Sequence, residues 1–340
     1  MPVWRGGGGA ETMQNSVAIL RERQSSGASH CTSSRNVKIA SHAQVSLSVL
    51  LVILLAGCAG CNGWPWREGA VPDSVATCRE LSQQALANME SQRWTEAEGL
   101  LDRAVEACPI DPDARLYYAE TLLHRGATND ALTQLEEAIR LTPNDTALVI
   151  RAGEICYQIQ DYRQARRWAT EAINLDPSAA DAWRLSGSIY REEGNPQRAL
   201  ADYQRALGYR PEDPELLEAV ADVYMALGRP GRALMHLQNL SETYVSGEVP
   251  TEVMARKADA LTALGRYREA ASYYRVICQQ MEPSAEGYYR LAQAELRAGE
   301  VGEARIATEM ALQVNPRHAL STQLLAQLPP TAGAEISKPE

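Results

Sequence analysis

The 340-residue chain has no phenylalanine, and aromatic residues of all kinds make up 6% of it. Any core must therefore be filled mainly by aliphatic side chains, alanine, tyrosine and tryptophan. Histidine is scarce: the five, at 30, 42, 124, 236 and 318, form no i, i+4 pair and no H-E-x-x-H run, so no histidine-based metal site is expected. There is no G-x-S-x-G and no G-x-x-x-x-G-K-[ST], and the run Gly6 to Gly9 precedes no strand-helix unit. Positive charge is in deficit, with 33 Lys and Arg against 43 Asp and Glu, a net −10. Such a body has no electrostatic footprint for a phosphate backbone, so nucleic acid is not an expected partner and basic protein segments are favoured.

What the chain does have is a period. From Cys78 to Pro316 a unit of thirty-four residues is written seven times, beginning at Cys78, Pro112, Thr146, Ala180, Pro214, Thr251 and Ala285, with a three-residue insertion before Thr251. The clearest copy, Ala180 to Asp213, carries Trp183, Gly187, Tyr190, Gly194, Ala199, Tyr203, Ala206 and Pro211 at offsets 4, 8, 11, 15, 20, 24, 27 and 32. Offset 20 is alanine in every copy: Ala97, Ala131, Ala165, Ala199, Ala233, Ala270 and Ala304. Offset 8 is always alanine or glycine, which predicts two helices crossing so closely that nothing beyond a methyl fits. Glycines at 126, 194, 228, 265 and 299 mark the turn inside the hairpin, and prolines at 109, 143, 177, 211 and 316 its end.

That spacing resembles the tetratricopeptide repeat (TPR). The resemblance implies an all-α, right-handed solenoid of seven helical hairpins over residues 75–328, closed by a capping helix at 317–328 and followed by a disordered tail, 329–340. Departures from the pattern cluster late: Leu240 and Ile277 replace the usual alanine at offset 27, and the insertion around Ser246 and Gly247 follows. A local change of pitch is expected there, dividing the array into five repeats and two.

Ahead of the repeats, Ala43 to Cys58 is mainly apolar and ends in Leu55-Ala56-Gly57-Cys58, which resembles a bacterial lipoprotein signal. The resemblance implies cleavage after residue 57, acylation of Cys58 and a flexible linker, 58–74, holding the repeats about 20 Å from a membrane. A transmembrane helix is the competing reading, but the apolar core falls short of the roughly 20 residues a span needs. Residues 1–36 make a long leader, and a start near Val37 would leave them untranslated. Removing residues 1–57 takes away five Lys or Arg and two Asp or Glu, leaving −13. Membrane attachment must then come from the acyl chains, not from charge.

Of the seven cysteines, Cys58 and Cys61 have C-x-x-C spacing, but no second pair accompanies them and the lipoprotein signal accounts for Cys58. Cys78 and Cys108, at offsets 1 and 31, fall at the same end of two antiparallel helices, where a disulfide and a reduced pair both remain open. Cys156 reads as a small apolar filler. No cofactor, metal or catalytic residue is expected, and the repeats leave no room for a catalytic domain between Cys78 and Leu328.

In the repeats this chain resembles, first-helix offsets 2, 5, 6, 9, 12 and 13 line a concave groove. Carried across, they give Leu116, Tyr117, Leu123, Ile150, Arg151 and Tyr157 as an apolar and aromatic patch. They also give an acidic half with Glu215, Glu218, Asp222, Glu252, Asp259 and Glu286, interspersed with Arg184, Arg256 and Arg290. A peptide or protein with an apolar anchor followed by basic residues is the expected partner. The function implied is a non-enzymatic, lipid-anchored scaffold assembling a complex in the bacterial cell envelope. The alternative is an accessory subunit regulating an envelope protease or peptidoglycan hydrolase. The sequence is silent on oligomeric state.

Overall fold

The computed structural model describes residues 73–244 and 249–329. The expected acyl acceptor Cys58, the C-x-x-C pair, the expected leader and tail and the insertion residues Ser246 and Gly247 lie outside the described residues. Fifteen α-helices and no strand are found among those described. Two compact units are distinguished, Met1–Ala131 and Leu132–Glu340.

In the first unit, α1 (Asp73–Glu90) pairs with α2 (Trp94–Ala107), which packs on α3 (Pro112–Arg125). Cys78, Leu81, Ala104, Cys108 and Ala114 form its small core. Near the α1–α2 turn, Trp94 stacks on His124 with ring centroids 4.0 Å apart. α3 starts with proline at its first turn and Asp111 as its cap, accepting from the amides of Asp113 and Ala114.

The chain continues through α4 (Thr128–Leu141), where the two units meet in sequence. The second unit repeats the hairpin as α5 (Thr146–Gln158) with α6 (Tyr162–Leu175), α7 (Ala180–Glu192) with α8 (Pro196–Tyr209) and α9 (Pro214–Ala226) with α10 (Pro230–Glu242). Then come α11 (Thr251–Ala263) with α12 (Tyr267–Gln280), α13 (Ala285–Ala298) with α14 (Val301–Val314), and α15 (Ala319–Gln327) against α13 and α14. The all-α TPR fold is thus present.

Its basis is the close crossing. All seven offset-20 alanines are 0% exposed. Opposite them a glycine is required where the facing side chain is large: a Cβ on Gly187 would stand 2.7 Å from two ring carbons of Tyr203, and one on Gly153 2.7 Å from Leu185. Gly194 and its equivalents take φ between 67° and 87°, the left-handed conformation that stops the first helix. In two copies this position is not glycine: Gln92 and Gln160 adopt φ of 59° and 64° all the same. The geometry of the hairpin, not the residue, dictates the turn.

One expectation is corrected. A single apolar cluster runs from Ala180 to Leu328 and includes Leu237, Leu240, Val253 and Ala258, on both sides of the insertion. α10 packs directly on α11, so no division into five and two repeats is found there. Leu240, 1% exposed, fills the contact that alanine makes elsewhere, and the larger side chain is absorbed within the core.

Two expected outcomes follow from this packing. Gly187→Ala meets the buried Tyr203 ring, an overpacking cost of about 1–3 kcal/mol that outweighs the ~1 kcal/mol helix-propensity gain. Gly208→Ala, with nothing within 4 Å of the new methyl, keeps the gain alone. Urea titrations should therefore move in opposite directions for the two. Gln160→Gly should raise the melting temperature by relieving the left-handed strain, about 1 kcal/mol.

Candidate interaction face

Within Leu132–Glu340, the first helices α5, α7, α9, α11 and α13 carry the charged residues picked out by offset, and they pair between neighbouring repeats. Arg184 on α7 donates to Glu154 on α5 at 3.0 Å and lies 3.4 Å from Glu215 on α9 and 3.5 Å from Asp181 on its own helix. On α11, Arg256 reaches back to α9, with Glu218 at 2.5 Å and Asp222 at 3.1 Å. Arg290 on α13 reaches back to Asp259 on α11 at 3.5 Å and donates to Glu286 at 3.1 Å. Arg151 completes the series beside Glu154, at 3.3 Å.

The spacing explains this ladder. A repeat of thirty-four residues returns each first helix to the same orientation, so a cation at offset 5 or 6 meets the carboxylate at offset 9 of the preceding copy. Burial opposes the charge on Arg184, but Glu154, Asp181 and Glu215 outweigh it and hold the guanidinium above its ordinary value. Burial also raises the Glu218 carboxyl; Arg256 works against that, while Asp222, Glu252 and Glu215 add to it.

The expected acidic half is therefore corrected in one respect. Glu218, Asp222 and Asp259 are not open charges awaiting a basic ligand, because each has an arginine from the next repeat. Carboxylates still outnumber arginines on this face, and Tyr274 donates to Asp259 at 2.5 Å. Asp259, Tyr274, Glu286, Arg290 and Gln293 border a recess of about 330 Å³.

The expected apolar patch divides. Ile150 and Tyr157 are half-buried on α5, and the Tyr157 hydroxyl donates to Glu192 on α7 at 3.3 Å. In the first unit, Leu123 is half-buried, but Leu116 and Tyr117 are 5% and 2% exposed. Those two side chains belong to the packed interior of the structure, so the anchor role expected of them is not supported by their placement.

Two groupings were missed from the sequence. Arg163, Arg166 and Arg167 on α6 border an open recess of about 630 Å³ with Glu171 and Glu193, and Arg166 and Arg198 each stand 5.5 Å from the Tyr190 ring. Their i, i+3, i+4 spacing was visible as a basic stripe. In the first unit, the ligand atoms of Cys78, Cys108 and Asp111 lie within 4.8 Å of one another, although no metal-ligating cluster was expected. The two cysteines are free thiols. Cys156 is buried in the apolar cluster of α5 to α7, as its expected role as filler requires.

Comparison with known families agrees with the geometry. Tetratricopeptide-repeat profiles match residues 151–214, 255–319 and 190–246, and that of anaphase-promoting complex, cyclosome, subunit 3 matches 90–172. The array is built of tetratricopeptide repeats. Human protein O-mannosyl-transferase TMTC1 is 24% identical over 235 residues, 66% of this chain and 25% of that protein. The chain thus spans about a quarter of that relative's length. Among solved TPR structures, YrrB, a TPR protein with an unusual peptide-binding site, is 23% identical with a TM-score of 0.51, covering 56% of this chain and 96% of that one. PilW, a type IV pilus biogenesis factor, is 18% identical with a TM-score of 0.54, covering 60% of this chain and 93% of its own. These likenesses concern the fold.

The ladder makes a pH-dependent prediction. Arg256→Ala removes the cation that opposes the rise of the Glu218 carboxyl. A carboxyl raised above its unfolded value favours the fold when protonated, and that contribution is lost as pH rises through the folded value. The TPR variant should be less stable by about 1 kcal/mol at neutral pH, with the deficit shrinking as pH falls below the Glu218 range. Denaturant midpoints measured across that range check it.

Proposed function

We propose that this TPR chain is a non-enzymatic scaffold that holds protein partners at the envelope of a bacterial cell, anchored by acyl chains on Cys58. The partner lies along the first-helix face of Leu132–Glu340. Its apolar side chain rests on Ile150 and Tyr157, and its basic residues follow along α9 and α11, where carboxylates exceed arginines. The observation that carries this reading is the juxtaposition of half-exposed Ile150 and Tyr157 on α5 with the start of the arginine ladder at Arg151 on α5 and Arg184 on α7. An aromatic and aliphatic pair beside ordered charge is a common form of anchor site.

The ladder contributes in a second way. Because its arginines are held by carboxylates from adjacent repeats, the face is ordered before a partner arrives, and less entropy is lost on binding. YrrB, with its peptide-binding site, supports a peptide or protein ligand. The Leu55-Ala56-Gly57-Cys58 run supports the anchor.

Crosslinking in membranes from cells carrying the native chain tests both parts. Ile150→Asp with Tyr157→Ala should remove specific crosslinked species, with circular dichroism confirming that the variant keeps its helical fold. Cys58→Ser should release the protein from the membrane fraction. An unchanged crosslinked set refutes the interaction face, whereas an unchanged fraction refutes the anchor.

A further inference from the structure

We infer that Cys78, Cys108 and Asp111 form a binding site for one thiophilic divalent cation of the zinc class. The three donors come from three elements: Cys78 from α1, Cys108 from the residue that follows α2, and Asp111 from the cap of α3. All lie in the first unit, and the site is independent of the interaction face proposed above.

The geometry is close to that of a coordinated ion. Zinc bonds thiolate sulfur at about 2.3 Å and carboxylate oxygen at about 2.0 Å, which places neighbouring tetrahedral donors about 3.5 Å apart. Cys78 Sγ stands 3.4 Å from Asp111 Oδ2, and the three ligand atoms lie within 4.8 Å of one another. The carboxylate is already aimed. Its Oδ1 accepts from the amides of Asp113 and Ala114 at 3.0 and 3.2 Å, leaving Oδ2 turned to the sulfur. The Asp111 amide donates to the Cys108 carbonyl at 3.1 Å, which fixes the turn carrying two of the donors. Such outer hydrogen bonds orient metal ligands.

The repeat itself accounts for the aspartate but not for the thiols. Asp145 and Asp213 cap α5 and α9 from the same offset, yet their copies carry no cysteine at offset 1 or 31. Only the first copy puts sulfur at both. Both sulfurs are buried, at 0% and 8% exposure, while Asp111 is half-buried and leaves the solvent side for a fourth donor from water.

The surroundings favour a cation over a disulfide. Cys78 and Cys108 are free thiols, and it is the Asp111 carboxylate, not a second sulfur, that stands at hydrogen-bond distance from Cys78. A carboxylate beside two thiols is an unfavourable neighbour for sulfur chemistry and a favourable one for a divalent ion.

Cobalt(II) and zinc titrations of the reduced full chain test this, in a background of Cys31→Ser, Cys58→Ser and Cys61→Ser that removes the C-x-x-C pair and Cys31. One equivalent of cobalt should give a thiolate-to-metal charge-transfer band, which zinc abolishes. Zinc should raise the melting temperature. Cys78→Ser and Cys108→Ser should each remove the band, and Cys156→Ser and Cys278→Ser should keep it. Asp111→Asn retains the cap oxygen and the fold, and should weaken zinc binding about 10- to 100-fold. Absence of stoichiometric binding by the reduced parent overturns the site. So does a band that survives loss of both thiols, or a Cys78–Cys108 disulfide whose reduced form binds no metal.

Discussion

Each hairpin closes on a methyl group. The offset-20 alanines have no exposure at all, and every larger feature of the array depends on the helix separation they permit. Where the opposite side is filled by Tyr203, the facing residue is reduced to Gly187; where it is filled by Leu185 and Trp168, it is reduced to Gly153. Bulk on one helix is met by a missing side chain on the other. This is how a chain without phenylalanine packs a continuous core from Ala180 to Leu328.

The same periodicity organises charge. Because each first helix returns to nearly the same orientation, Arg184, Arg256 and Arg290 meet carboxylates contributed by neighbouring copies. Each such pair is half-exposed and worth little alone, but together they order a face that would otherwise carry long, mobile side chains. Contacts of this kind reach only the adjacent repeat, as expected of a quasi-one-dimensional array. They also change the meaning of the acidic residues: what this face presents is the excess of carboxylate over arginine, not the full acidic count.

Departures from the repeat are the more informative positions for function. Gln92 and Gln160 hold a glycine conformation without glycine, which shows how strongly the surrounding hairpin imposes it. Leu240 replaces alanine without breaking the core. The paired thiols belong to the small core of the first unit, but the repeat pattern does not ask for sulfur at either position, and their convergence with Asp111 carries the proposal of a cation site.

The all-α repeat architecture was legible in the sequence because a thirty-four-residue period, an unbroken alanine column and regularly placed prolines are one-dimensional signals of a one-dimensional fold. Offsets also identified Arg184, Glu218, Asp222, Asp259 and Arg290 as sharing one side of the second unit. Which of these charges neutralise one another was not legible, since partners such as Arg256 and Asp222 stand thirty-four residues apart and their pairing depends on how one hairpin lies on the next. Burial of Leu116 and Tyr117, continuity of the core past the insertion and convergence of Cys78, Cys108 and Asp111 were likewise decided by tertiary structure. Local periodicity specifies which way a side chain leaves its own helix; only packing between helices determines what it meets there.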